Sequence, residues 1–236
     1  MKNEHQKSCN EINLKEISIF NNLKADELLE IAKNGVCSNY KRGQTLFVQG
    51  NQPYGIFCIC KGNVKLTKLG ADGKESILKI VSVGDILGHR SLFASSNYST
   101  TATAIEDTEV YLFEKKYLLN LINNNMTLAN NIINKLSIDM GVAENKLTSL
   151  HQKNVRERLA ELLVNLKESH GVKEGNLVKI DIKLSREEMA EMIGTAHETL
   201  IRILTEFRDA DIIEQNSKMI YIKNEDELLN WAHIRY

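Results

Sequence analysis

Residues 186–205 read REEMAEMIGTAHETLIRILT, and this stretch decides the fold of the C-terminal part of the chain. Apolar side chains recur at helical spacing on both sides of Gly194, and Ala190 is small where two helices would touch. Glycine tolerates the left-handed backbone that a short turn requires. Ser185 and Glu188 form a capping box that begins the first helix. The stretch therefore predicts a helix-turn-helix with the interior positions Met189, Ile193, Leu200 and Ile203.

The segments on either side extend this motif into a domain. Residues 212–222 read IIEQNSKMIYI, in which apolar and β-branched residues flank a polar turn, so two short strands are predicted as a wing. Upstream, Asn154 is followed three residues later by Glu157, which predicts an N-terminal cap and a new amphipathic helix. We therefore predict a winged helix-turn-helix domain over residues 154–236.

A long helix and a hinge are predicted ahead of this domain, together over residues 126–153. Its apolar residues follow alternating steps of three and four, the spacing of a coiled-coil seam. One interpretation is a helix that packs only on its own domain, and the other, which we favour, is the seam of a parallel homodimer. The helix is expected to break at a hinge between Leu150 and Asn154. The seam consists of Met126, Ala129, Ile133, Leu136, Met140, Ala143, Leu147 and Leu150.

The N-terminal half has a different pattern. Residues 14–34 show the apolar spacing of short helices. Between residues 40 and 112, short apolar runs alternate with glycines, which indicates an antiparallel β-roll or jelly roll rather than βαβ units. Asp72 and Gly73 are a hairpin-turn signal. The predicted fold class is α+β, with a roll domain over residues 14–125, a dimerisation helix and hinge over 126–153, and the winged domain.

Composition excludes several classes of protein. The 236 residues are 42% hydrophobic with a formal net charge of −1, enough for two cores and unlike a disordered polyelectrolyte. No apolar run approaches the roughly 18 residues needed to cross a bilayer, and the N-terminus lacks a secretory core, so a cytoplasmic protein without membrane contact is expected. The chain has no phosphate-binding glycine loop, nucleophile elbow or His-Glu-x-x-His motif, so an enzyme is not expected.

These features together resemble the Crp/Fnr family, the cyclic-AMP receptor and fumarate-nitrate regulators of bacterial transcription. The resemblance runs from about Phe20 to Ile222 and rests on VGDILG at 83–88, VRERL at 155–159 and ETLIR at 198–202. It implies a homodimer with a cyclic-nucleotide-binding-like roll that senses a signal. It also implies that the second helix of the motif reads double-stranded DNA, at half-sites roughly 34 Å apart. RNA polymerase is a further implied partner.

The resemblance assigns roles to the second helix of the motif. In the family, the positions of Glu198 and Arg202 read a G·C base pair through guanine O6 and N7 and cytosine N4. An ordinary intrahelical ion pair between them is the alternative. Ile201 either packs on a thymine methyl or is simply a partly exposed apolar residue. Thr195 is expected to bind a phosphate. The candidate DNA-binding residues are Ser185, Thr195, His197, Glu198, Ile201 and Arg202.

The charge of the winged domain is unusual for this role. Residues 154–236 contain 12 basic and 16 acidic residues, a formal charge of −4. General attraction to DNA should therefore be weak, and affinity should depend on two correctly placed half-sites. The same charge leaves open an interaction protein whose motif no longer binds DNA.

The resemblance also locates an effector pocket in the roll. Cyclic-AMP-binding members hold the nucleotide with a glutamate after the glycine that matches Gly88 and with an arginine-serine pair. Here these positions are His89, Ser99 and Thr100, and Arg90 is the neighbouring cation. Cyclic AMP is not expected, because a buried phosphate charge without its arginine is costly. The candidate pocket residues are Gly88, His89, Arg90, Ser99 and Thr100.

Other effectors are not expected either. Oxygen-sensing relatives carry an iron-sulfur cluster on several N-terminal cysteines, and only Cys9 precedes the roll here. All four cysteines, Cys9, Cys37, Cys58 and Cys60, are expected to be free or buried thiols. Thiol sensing is the alternative for Cys58 and Cys60. His89 could ligate a haem, and the alternative is an ordinary hydrogen-bonded histidine. No metal or cofactor is predicted. The alternative function is a module that binds a cyclic nucleotide or other small ligand without productive DNA binding.

Overall fold

The computed structural model describes residues 14–71, 73–217 and 219–234, and the chain divides into two compact units between Gly141 and Val142. This division lies inside the long helix, because each end of that helix packs within a different unit. The predicted domain bounds after residues 125 and 153 differ from it and stay a prediction. Asp72 of the predicted hairpin turn, Cys9, and residues 235–236 of the predicted winged domain lie outside the described residues.

The described part of the first unit begins with short helices, as predicted, and continues as strands. Two 3-10 turns, Leu14–Glu16 and Ser18–Phe20, precede helix α1. The elements that follow are α1 (Ala25–Asn34), β1 (Val36–Tyr40), β2 (Thr45–Phe47), β3 (Gly55–Lys61), β4 (Val64–Leu69), β5 (Glu75–Val81), β6 (Ile86–Leu87), α2 (His89–Phe93), β7 (Thr101–Ala104), β8 (Thr108–Glu114), α3 (Lys115–Asn124) and α4 (Met126–Gln152).

The strands form the predicted antiparallel roll. One four-stranded sheet has the order β1-β8-β3-β6 and the other has the order β2-β7-β4-β5. The first six residues of strand β3 are all buried. Successive side chains of a strand point to opposite sides, so both faces of β3 are covered. Phe57 and Ile59 pack in the interior of the roll, whereas Ile56, Cys58 and Cys60 pack beneath the helices. The roll therefore has two apolar layers that share this central strand.

The described cysteines behave differently from one another. Cys58 and Cys60 are free and buried, as predicted. Burial raises the pKa of Cys58 well above its ordinary value and raises that of Cys60 to about 11, so neither thiol ionises readily. Both shifts favour core packing over thiol sensing. Cys37 is disulfide-bonded, so the expectation of a free thiol is wrong for this residue.

The long helix α4 begins at Met126, the first residue of the predicted seam, and ends at Gln152, within the segment predicted as the hinge. One face supplies Leu128 and Ile132 to the core of the roll. The interpretation of a helix packed on its own domain is therefore correct for this face. Six of the eight seam residues are exposed, whereas Ala129 and Leu136 are half-buried. Leu136 packs against the same core, because its side chain lies at the border between the two faces.

The second unit holds the remaining elements. They are the last turns of α4, α5 (Val155–His170), β9 (Gly171–Glu174), β10 (Leu177–Ile180), α6 (Arg186–Ile193), α7 (His197–Asp209), β11 (Ile213–Asn216), β12 (Met219–Ile222) and α8 (Glu225–Ala232). The sheet order is β11-β12-β10-β9, so the predicted wing hairpin is present and pairs with a second hairpin. That hairpin was not predicted, because its first strand is exposed throughout and shows no apolar alternation.

Both predicted capping boxes are present. The Asn154 side chain accepts from the Glu157 N–H at 3.1 Å, and the Glu157 carboxylate accepts from the Asn154 N–H at 2.9 Å. Helix α4 ends at Gln152 and α5 begins at Val155, so the predicted break is confirmed. Within the described ranges, no helix combines the length and apolar character needed to cross a bilayer.

Candidate nucleic-acid interface

Helices α6 and α7 form the predicted helix-turn-helix. Gly194 ends α6 with φ 64° and ψ 55°, the left-handed conformation for which glycine is suited. The Ser185 hydroxyl accepts from the Glu188 N–H at 3.1 Å, which starts α6 where the sequence predicts. The predicted interior positions are all buried, and they are Met189, Ile193, Leu200 and Ile203. The inner face of α7 is therefore packed against α6, and its outer face is left exposed.

Two cations hold the turn of the motif from outside. Lys146 Nζ, on the last turns of α4, donates to the Met192 carbonyl at 2.6 Å. Burial lowers the pKa of Lys146. Arg158, on α5, donates to the Ile193 carbonyl at 2.8 Å and to the Lys153 carbonyl at 2.8 Å. The last carbonyls of a helix lack partners of their own, so these side chains fix the end of α6 and the start of the turn.

Replacement of Arg158 by methionine is expected to lower the free energy of unfolding of this unit by about 2 kcal/mol, because charged hydrogen bonds to two carbonyls are lost. Trp231, the single tryptophan of the chain, lies on α8 in the same unit and reports its unfolding by fluorescence in urea. Arg208→Met is the control, because Arg208 is exposed and its ion-pair partner among the described residues is the adjacent Asp209. Equal stability of the two variants would contradict this role of Arg158.

The outer face of α7 carries the three residues predicted to contact bases. Glu198, Ile201 and Arg202 are all exposed. Arg202 Nη1 donates to Glu206 Oε1 at 2.5 Å, one turn further along the helix, and not to Glu198. The alternative of an intrahelical pair between Glu198 and Arg202 is therefore wrong. Glu198 keeps its acceptor oxygens available within the described part of the chain.

The other candidate DNA-binding residues lie at the start of the two helices. His197 Nε2 lies 3.4 Å from Glu187 Oε1, which ties the first turn of α7 to α6. Thr195 donates its N–H to the Ala190 carbonyl and is half-buried. Ala196 occupies the N-cap position of α7 and provides no side-chain cap, so the first amides of α7 receive no hydrogen bond from their N-cap side chain. DNA contacts by Ser185, Thr195 and His197 stay a prediction.

The roll contains a second cluster of polar side chains, around His89. Gly88 has φ 83°, and the chain then enters α2 with His89 buried. His89 Nε2 lies 2.9 Å from Asp139 Oδ2, on the long helix. Because an ionised carboxylate only accepts, Nε2 carries the proton in this contact. Lys79 and Lys135 reach the other oxygen of Asp139, at 3.1 and 3.0 Å.

The remaining candidate pocket residues lie apart from this contact. Arg90 is exposed and donates to the Ser99 hydroxyl, and Thr100 is buried. The structure therefore brings Arg90 and Ser99 together, and it pairs His89 with a carboxylate that our sequence analysis did not single out. Asp139 is 50 residues from His89 along the chain, so no spacing pattern could have indicated the contact.

Asp139 is the centre of this ion-pair cluster. Burial alone would raise its pKa, but the hydrogen bond from His89 and the charges of Lys79 and Lys135 together hold the pKa well below its ordinary value. A carboxylate with a lowered folded-state pKa stabilises the fold above its unfolded pKa of about 4, and this stabilisation is lost as the pH falls towards the folded value.

Asp139→Asn is therefore expected to destabilise the roll at pH 7 by on the order of 2 kcal/mol, and the difference from wild type should shrink below about pH 4. Scanning calorimetry of the full chain at a series of pH values measures both effects. Asp107→Asn is the control, since Asp107 pairs with Lys41 at an exposed site and should contribute less than about 1 kcal/mol. A difference that persists unchanged at pH 3 would contradict the assignment.

Comparison with known proteins places both units. Residues 37–125 match the cyclic nucleotide-binding domain family, and residues 157–231 match the Crp-like helix-turn-helix domain family. The CRP-like cAMP-activated global transcriptional regulator of Mycobacterium tuberculosis is 24% identical over 214 residues, which cover 91% of this chain and 96% of that protein. The cyclic AMP receptor protein of Thermus thermophilus is 28% identical over 175 residues, covering 74% of this chain and 77% of the relative.

Solved structures share the fold. FixK2 from Bradyrhizobium japonicum superposes with a TM-score of 0.76 at 20% identity, covering 86% of this chain and 99% of the other. A CooA mutant from Carboxydothermus hydrogenoformans gives a TM-score of 0.75 at 24% identity, covering 94% and 96%. The fold of the chain, with its roll, long helix and winged motif, is thus shared with these two solved structures. The chain belongs to the Crp/Fnr family of DNA-binding transcription regulators and to no enzyme class.

Proposed function

We propose that the protein acts as a homodimer that binds a gapped inverted repeat in DNA through the outer face of α7. The observation that carries this proposal is the exposure of Glu198, Ile201 and Arg202 on a helix whose opposite face is fully packed. An exposed arginine and an exposed acceptor on one helix face suit the edges of a G·C pair in the major groove. The DNA-binding set predicted above supplies the contacts.

The exposed stripe of α4 supports the homodimer. Met126, Ile133, Met140 and Leu147 follow one another at intervals of seven residues, and all four are exposed in the single chain. A stripe of large apolar side chains at this spacing is stabilised when a second copy of the helix packs against it. Two winged units held by such a seam would address two half-sites about one DNA turn apart, roughly 34 Å.

The cluster around His89 argues against cyclic AMP as the effector. The family match and the names of two relatives make this nucleotide the obvious candidate. In this chain, however, the residue after Gly88 pairs with the Asp139 carboxylate. The two lysines at that carboxylate are already its ion-pair partners, so neither is free for a cyclic phosphate. Arg90, the nearest cation in sequence, is bonded to Ser99. We propose that the roll uses neither cyclic AMP nor an iron-sulfur cluster, and that no cofactor is needed for DNA binding.

The cellular setting follows from the DNA-binding role. We propose that the protein works in the cytoplasm, where its DNA is, and that RNA polymerase is a further partner. The polymerase contact is carried by the family relationship.

Selection of genomic fragments by the purified full chain tests the proposal. Sequencing of the bound fragments is expected to reveal one gapped inverted repeat, and added cyclic AMP should leave the enriched set unchanged. No enrichment with or without the nucleotide would favour a ligand-binding module or an interaction protein without DNA binding. Enrichment that requires cyclic AMP would overturn the effector proposal and leave the DNA-binding proposal intact.

A further inference from the structure

Glu206 joins two arginines that belong to different helices. Its Oε1 accepts from Arg202 Nη1 at 2.5 Å, within α7. Its Oε2 accepts from Arg156 Nη2 at 2.6 Å, from α5. Each carboxylate oxygen thus has its own cationic donor, and the side chain of Glu206 is constrained from two directions. Helix spacing alone accounts for the first of these contacts and not for the second.

Arg156 is in turn held against the C-terminal helix. Its guanidinium lies 5.3 Å from the centre of the Trp231 ring, within the range of a cation–π contact. The Trp231 ring meets the buried Phe207 edge to face at 4.9 Å, and its N–H donates to Glu227 at 2.7 Å. Contacts therefore run from Glu206 to Arg156, from Arg156 to Trp231, and from Trp231 to Phe207. Glu206 is linked in this way to the packed core of the winged unit.

The consequence concerns the free edge of Arg202. A guanidinium carries five N–H donors in a planar fork, and Glu206 occupies a donor of Nη1. Within the described residues, the edge formed by Nε and Nη2 has no partner. A guanine base needs two parallel donors for O6 and N7, which that edge can supply while Glu206 keeps its contact. An arginine whose guanidinium is already held also loses less rotamer freedom on binding.

We propose that Glu206 is a positioning residue, which orients Arg202 for base recognition and thereby sets the specificity of the protein for one base pair. The inference rests on the proposed DNA-binding role of Arg202. It differs from simple neutralisation, in which Glu206 would only compete with DNA for the arginine. A positioning role predicts weaker discrimination when Glu206 is replaced, whereas competition predicts stronger or unchanged discrimination.

The test compares Glu206→Gln with wild type by binding titration. Glutamine keeps the shape but replaces one acceptor oxygen with an NH₂ group, so it cannot accept from both arginines. The base pair to vary is the one whose identity ceases to matter in Arg202→Ala. Discrimination is the ratio of dissociation constants for the varied and selected duplexes. We expect Glu206→Gln to reduce it about threefold per half-site, and so about tenfold when both half-sites are varied.

Asp209→Asn is the matched control. It removes one acid from the same helix, but Asp209 pairs with Arg208 and not with Arg202. Both variants should bind every duplex somewhat more tightly, because each removes a negative charge near the phosphates. Only Glu206→Gln should lose discrimination, and only at the base pair assigned to Arg202. Arg156→Gln, which removes the outer support of Glu206, should give a smaller loss at the same base pair.

The results distinguish failure of the Glu206 positioning role from failure of DNA binding by the protein. Discrimination in Glu206→Gln equal to that of Asp209→Asn, or higher than wild type, would overturn the positioning role while wild type still binds its repeat. A wild-type protein that prefers no duplex would instead overturn the proposed function. Thermal unfolding followed by Trp231 fluorescence establishes that each variant is folded, and Arg156→Gln decides the matter should Glu206→Gln not be folded.

Discussion

Met140→Lys should convert the protein to a monomer and reduce its affinity for the inverted repeat by at least about 100-fold, because simultaneous engagement of two half-sites is lost. Met140 lies in the middle of the seam and is 64% exposed in the single chain. In a parallel two-fold seam, the same position from each chain meets its copy, so two ammonium groups would be buried together. Burial of unpaired like charges is among the most costly changes at an interface. Light scattering gives the mass, and titration with the selected duplex gives the affinity.

Ile138→Lys is the control for this result. Ile138 is also apolar and 53% exposed on the same helix, but it is two residues from Met140 and so about 200° around the helix axis. The same charge on that side should leave the mass and the affinity close to wild type. Dissociation of both variants would show that loss of the dimer is not specific to the heptad stripe, and an intact dimer of Met140→Lys would remove the basis for paired half-sites.

Arg202→Ala should weaken binding to the selected repeat by roughly 1–3 kcal/mol per half-site and relax specificity at a single base pair. The arginine is the exposed cation on the outer face of α7, and a fork of two donors onto guanine is lost with it. Titration against duplexes that carry each single-base change measures both effects. Affinity for unrelated duplexes should fall far less, since one phosphate-independent contact contributes little to general binding.

Arg208→Ala separates specific reading from general electrostatics. Arg208 is exposed on the same helix and pairs with Asp209, near the C-terminal end of α7. Its loss removes the same charge, so any weakening should be equal for all duplexes. A uniform effect in both variants would mean that Arg202 contacts only the phosphate backbone.

The residue that holds Arg202 illustrates a limit of sequence reasoning. Glu198 and Glu206 both lie four residues from Arg202, so spacing alone cannot choose between them. The intrinsic preference of helices favours the acid on the N-terminal side, which is Glu198. The structure selects Glu206, because Arg156 on α5 already fixes that carboxylate. A contact with a third helix thus overrides the local preference.

The sequence by itself determined the features that depend on residues close together along the chain. These are the buried positions of the helix-turn-helix, its two capping boxes, the left-handed turn at Gly194, the wing hairpin and the stripe of the long helix. Each depends on residues at most one or two turns apart, where backbone geometry fixes which side chains are neighbours. The second hairpin escaped notice because its exposed strand has no such pattern.

Only the tertiary structure decided the contacts between elements. Asp139 meets His89 across 50 residues, Lys146 binds the end of α6 across 46, and Leu136 faces the roll's own core. Residues this far apart along the sequence meet only when their helices and strands pack around a shared core. That packing is a property of the whole unit. The residue pattern of a single helix or strand therefore does not predict these contacts.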